Sequence, residues 1–154
     1  LKAVGIDFEV VPGITAALAG AASLQKSLTL RGVSRSVAFI TQAQASEGAA
    51  PARPIANPHA DTLIYYMGRR DAAQIAKQLI EAGNHFTPKT PVHILEAVST
   101  PKERHWSSDL NELAKGKADD WFDSNSPALI MVGEALLKVL DTSLKTVNQD
   151  RQLA

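Results

Sequence analysis

Residues 127–133 read PALIMVG, and no polar side chain interrupts the run between Pro127 and Gly133. The stretch is far below the roughly 20 apolar residues that a membrane-spanning helix requires. It is also too short for a buried helix, and Pro and Gly bound it at either end. That leaves a strand buried on both faces, and so a central one in a sheet covered on both sides. The rest of the chain must supply neighbouring strands and the layers that cover them.

It does so in alternation. SVAFIT (36–41) and DTLIYYMG (61–68) read as strands, and Gly68 ends the second. Across 71–82, Ile75, Ala76, Leu79 and Ile80 share one helical stripe, and Gly83 suits the C-terminal stop. PVHIL (91–95) is the next strand, with its Pro at the permitted first position. A further strand is expected at 104–108. Asp109 then opens a short helix with Glu112 at capping-box spacing, and Lys115-Gly116 closes it. Near the start, FEVV (8–11) reads as a strand stopped by Pro12-Gly13. Thr15 is placed to cap the Ala-rich helix that follows. Residues 43–60 read as a long loop and 141–154 as a polar tail beyond a domain at 1–140. The expectation is an α/β fold with an about five-stranded mixed sheet flanked by helices.

At 154 residues, with 45% apolar and 21% charged residues, the chain is long enough for one real core. A formal net charge of zero argues against a nucleic-acid partner. No cysteine is present, which excludes disulfides, thiolate metal sites and a Cys nucleophile. No apolar run is long enough to span a membrane, and a cytoplasmic protein is the expectation. The chain opens at Leu1 and its first residues read as the interior of a longer protein.

His59, His85, His93 and His105 show no i,i+3 or i,i+4 pair, so no metal site is expected, and His93 reads as a packed strand residue. GxSxG, P-loop and GxGxxG motifs are absent. What remains is a set of strand edges rich in small or adaptable residues: PGITAA, YYMG, EAVST and PALIMVG. In open α/β sheets ligands bind beyond strand ends, where small residues permit close approach. The plainer alternative is that Gly13 and Gly68 only make turns and Met67 is core. A related choice attaches to VVPGITAALAGAA (10–22), whose small side chains mean either ligand room or close packing against another backbone.

EVVPGITAALAGAA, LTLRGVSRSVAFIT, DTLIYYMG and SPALIMVGE occur in an order and at spacings that resemble the C-terminal half of the tetrapyrrole (precorrin) methylase family. The resemblance runs from about residue 5 to about residue 137. It implies the C-terminal domain of a two-domain, usually homodimeric enzyme. Such an enzyme uses S-adenosylmethionine, releases S-adenosylhomocysteine and methylates ring carbons of a tetrapyrrole. Uroporphyrinogen III is the substrate expected, on the route to sirohaem and cobalamin. A different precorrin, or a catalytically silent dimerisation module, are the alternatives.

Carried onto this chain, the family's cofactor contacts fall on Thr15 and Ala16, Met67 and Gly68, Ala97 and Val98, and Pro127 and Ala128. Arg31 is the candidate partner for a substrate carboxylate, with a solvated surface charge as the alternative. No general base is named. Three positions depart from the family pattern: Leu30 stands where a His is common, Gln42 where a Gly is usual, and Val98-Ser99 where Gly-Thr is frequent. The family's Gly-rich GxGPG-like and GGDP-like segments, which lie before this region, are not in the chain.

Overall fold

The computed structural model describes residues 1–42 and 59–137. Five strands, β1 (Val37–Thr41), β2 (Thr62–Tyr66), β3 (Pro91–Glu96), β4 (Arg104–Asp109) and β5 (Ala128–Val132), form one sheet in the order β1-β2-β5-β3-β4. The apolar run is central, as its composition requires. β5 is antiparallel to both β2 and β3, β4 is antiparallel to β3, and β1 is parallel to β2. The α/β class and mixed sheet expected from the sequence are therefore what forms.

Successive side chains of a strand point to opposite faces, and here both faces are apolar. Leu63, Tyr65, Val92, Ile94, Ile130 and Val132 share one face with α2 (Ala72–Glu81) and α3 (Leu110–Ala114). Ile75, Ala76 and Leu79 of the expected stripe are buried there, and Ile80, its fourth member, packs against them partly buried. Ile64, Leu95, Leu129 and Met131 point the other way, towards Ala17 and Ala21 of α1 (Ala16–Ser23).

Helix α1 answers the question of small residues along most of its length. A Cβ at Gly20 would lie 3.5 Å from Leu129 Cδ1, 3.6 Å from Met131 Sδ and 3.7 Å from Leu95 Cδ2. Ala17, Gly20 and Ala21 thus form the contact stripe of a helix laid closely on the sheet. Asp109 caps α3 by accepting a hydrogen bond from Glu112 N–H at 2.9 Å. The reciprocal half of the capping box does not form, because Glu112 Oε1 instead accepts from Lys115 Nζ at 2.8 Å.

Two local expectations change. Residues 8–11 have a strand-like sequence but lie outside the sheet, with Phe8, Val10 and Val11 exposed. A strand exists only through a ladder partner, and this segment has none among the described residues. Thr15 does occupy the N-cap of α1, yet its hydroxyl makes no capping bond and meets the hydroxyl of Tyr66 instead. The loop expected at 43–60 lies outside the described residues except for its last two positions, and the tail at 141–154 lies wholly outside them.

Candidate functional site

Because β1, β2 and β3 run in the same direction, their carboxyl ends open on one edge of the sheet. The amino ends of β4 and β5 lie on that edge too. This is where ligands bind open α/β sheets, and a cleft of about 1220 Å³ lies there. Its lining comes from Ala16 at the start of α1, Gln42 after β1, Tyr66 ending β2 and Met67 after it, Ala97 and Val98 after β3, and Pro127 with Ala128 entering β5. Five segments remote in sequence meet because the strand order brings their ends together.

The strand ends turn sharply. Met67 has φ 56°, Ala97 φ 50° and Ser99 φ 64°, all in the left-handed region that non-glycine residues seldom occupy. Such conformations cluster where a backbone is held for function. Val98 lies between two of them without adopting one itself, so β-branching at this position does not oppose the turn. Met67 is 64% exposed, which removes the core alternative for its side chain. Its thioether stands at the cleft as an adaptable, polarizable surface.

Of the residues singled out from sequence, Ala16, Met67, Ala97, Val98, Pro127 and Ala128 come together in the lining. Thr15 reaches it through the Tyr66 hydroxyl. Gly68 faces inward: a Cβ there would come within 3.0 Å of Ile75 Cδ1 and 3.4 Å of Ile130 Cδ1. Its smallness lets the chain turn over the core. Arg31 is not in the cleft. It lines a separate, shallower depression with Thr29, Gly32, Ser34 and Arg35, beside the turn closed by the Leu30–Ser34 bridge. Gln42 lines the cleft, and its N–H donates to the Tyr66 carbonyl at 2.9 Å.

Sequence reading missed the opposite wall. Residues 123–126 line the cleft beside Pro127, and Arg69 Nη1 donates to the carbonyls of Asp123 at 2.5 Å and Ser126 at 3.2 Å. The Asp123 carboxylate accepts from Asn125 N–H and the Ser126 hydroxyl, each at 3.0 Å, and these bonds hold its pKa below the ordinary value. A run of Asp, Ser and Asn before an apolar strand was the available signal for a self-bonded turn. Arg69, Arg70 and Lys102 set positive charge against Asp71 and Asp123 around an otherwise small-residue floor.

His93 and His105 lie elsewhere, paired with each other on the α1 face of the β3–β4 hairpin. Among the described residues no group of three or more His, Cys, Asp or Glu side chains is disposed to hold a metal. No helix among them is long and apolar enough to cross a membrane.

The sequence profile of the Tetrapyrrole (Corrin/Porphyrin) Methylases matches residues 1–114. A uroporphyrinogen-III C-methyltransferase of Pseudomonas fluorescens is 35% identical over 133 residues, covering 86% of this chain and 52% of the relative. A siroheme synthase of Psychrobacter sp. is 35% identical over 136 residues, covering 87% of this chain and 27% of the relative. In three dimensions the chain is similar to uroporphyrin-III C-methyl transferase from Thermus thermophilus complexed with S-adenyl homocysteine. The TM-score is 0.71 at 33% identity, covering 88% of this chain and 54% of that one. The chain spans about half the length of the methyltransferase relatives it matches, and about a quarter of the siroheme synthases.

Proposed function

The chain belongs to the tetrapyrrole (corrin/porphyrin) methylases, and on that premise we propose that the full-length protein methylates ring carbons of uroporphyrinogen III to give precorrin-2. S-adenosylmethionine is the donor in this reading and S-adenosylhomocysteine the product. The observation that carries it is the cleft itself. It is assembled at the ligand-binding edge of the sheet, and its lining includes six of the eight residues, Ala16, Met67, Ala97, Val98, Pro127 and Ala128, onto which the family resemblance carries cofactor contacts.

The residues present suit that donor. Ala16, Ala97 and Ala128 keep the floor open, Met67 offers a thioether to a flat ring, and Gln42, Asp71 and Lys102 supply polar groups at the margin. When bound, S-adenosylmethionine supplies a methyl group already activated on a sulfonium. The chain's own residues are left to bind, align and exclude water. No acid–base pair is required of them. Thr15, with the Tyr66 hydroxyl beside it, borders the cleft at the start of α1. Arg31 and Arg35, in their own depression, are the groups we assign to a carboxylate on the substrate margin.

A homodimer and a cytoplasmic location belong to the same reading. A methyl-transfer assay tests it: labelled methyl from S-adenosylmethionine is offered to uroporphyrinogen III and, in parallel, to later precorrins. Label in uroporphyrinogen III is the expected result. Label only in another precorrin would keep the chemistry and change the substrate.

A further inference from the structure

Glu96 ends β3 at the lip of the cleft, and its residue exposure is 0%. A buried carboxylate is strongly unfavourable unless its lone pairs are met. Here both oxygens are engaged. Oε2 accepts from Arg104 Nη2 at 2.5 Å and Nε at 3.2 Å, while Oε1 accepts from the backbone N–H of Asp123 at 2.9 Å. Arg104 Nη2 also donates to the Trp121 carbonyl at 2.6 Å, and its guanidinium carbon lies 4.6 Å from the centre of the Trp121 ring.

Two of these bonds, at the Trp121 carbonyl and the Asp123 N–H, reach residues 121–127, which contain no strand or α-helix. This segment joins the sheet's backbone only at its end, where the Pro127 carbonyl accepts from Ala97 N–H at 3.0 Å. Those residues form one wall of the cleft from Asp123 to Pro127. Arg69 grips the same wall through the Asp123 and Ser126 carbonyls. An apolar residue at 96 would fill the space but could not hold the Asp123 N–H or orient Arg104. The buried charge therefore has a task beyond packing.

We propose that Glu96 is a positioning residue: without touching the ligand, it sets the cleft's affinity by fixing the 121–127 wall through Arg104 and Asp123. This rests on the reading of the cleft as the S-adenosylmethionine site. Glu96→Gln removes the charge at nearly constant shape and turns an amide NH₂ or a weaker acceptor towards Arg104. Arg104→Lys keeps the positive charge and loses the two-pronged hold and the Trp121 contacts. Arg104 is 45% exposed in its side chain, so this second variant remains informative if Glu96→Gln does not fold.

S-adenosylhomocysteine is titrated into the full-length protein and both variants, and amide hydrogen exchange is followed segment by segment. The expected result is affinity weakened about tenfold in Glu96→Gln, a raised KM for S-adenosylmethionine with kcat retained, and faster exchange confined to 121–127. Arg104→Lys should fall between Glu96→Gln and the parent. Tight binding by the parent with variant affinities within about twofold of it would overturn the inference alone. So would exchange raised equally across β2, α2 and the wall, since that is plain loss of stability. Failure of the parent to bind overturns the reading of the cleft, and this inference with it.

Discussion

Nδ1 of His93 lies 2.9 Å from Nε2 of His105 across the β3–β4 hairpin. His93 Nε2 is 3.1 Å from the Leu136 carbonyl, so it must donate there, which leaves Nδ1 to accept from His105. A second proton on His93 finds an acceptor there only if His105 changes tautomer and presents Nε2 as one. Burial is the main cause holding the His93 pKa below the ordinary value, with the charges of His105 and Lys26 adding to it and the Leu136 carbonyl opposing. Burial likewise lowers His105, against the attraction of Glu103.

Both histidines are thus neutral in the fold at a pH where the unfolded chain already takes up protons. Stability is present in full above the unfolded value of about 6.5 and falls as pH drops through that value towards the depressed folded ones. Urea unfolding at about pH 7.5 and about pH 5.5 should show the loss, and His93→Gln should reduce the slope between them. An unchanged slope in His93→Gln would remove the pair as its source.

Helix α1 divides into a cleft end and a packing end. Ala21→Leu should cost about 1–3 kcal/mol by overpacking against Leu28 and the sheet, with ligand affinity little changed. Thr15 is exposed, so Thr15→Leu should weaken S-adenosylhomocysteine binding and leave the melting temperature near that of the parent. Thermal melts and calorimetric titration of the two variants check the division. Equal loss of binding at constant stability in both would refute it.

Gly133 follows β5 with φ 151°, and a Cβ there would sit 2.8 Å from the Asp61 carbonyl oxygen and 3.1 Å from Thr62 Cα. Backbone cannot retreat as a flexible side chain would. Gly133→Ala should therefore lower unfolding free energy by about 2–4 kcal/mol, read as a fall in denaturation midpoint at constant m-value.

Asp109→Ala removes the side-chain acceptor for Glu112 N–H and should cost about 1 kcal/mol. Asp109→Asn keeps an acceptor and should recover most of the loss. Equal destabilisation by both would shift the cause from the cap to the carboxylate's charge.

Strands were legible wherever burial on both faces left an apolar run, as at Ala128–Val132, or a helix bounded by glycine followed, as after Thr62–Tyr66. Phe8 to Val11 carry the same local signal, but a ladder partner is a fact about the rest of the chain and no short window contains it. Most of the cleft floor was visible for a similar reason: Ala97, Pro127 and Ala128 sit at strand ends that punctuation marks. The wall was not. Glu96, Arg104 and Asp123 are joined by polar bonds across 8 and 27 positions, and spacing carries no trace of them. Left-handed turns at Met67 and Ala97 were hidden too, because glycine is the usual sign of positive φ and neither is glycine.

A crystal structure of the full-length protein with S-adenosylhomocysteine bound tests the cleft most directly. The ligand should lie within about 4 Å of Met67, Ala97 and Pro127, beside the start of α1. Ligand density elsewhere, with this cleft filled by the protein's own chain, would contradict the assignment.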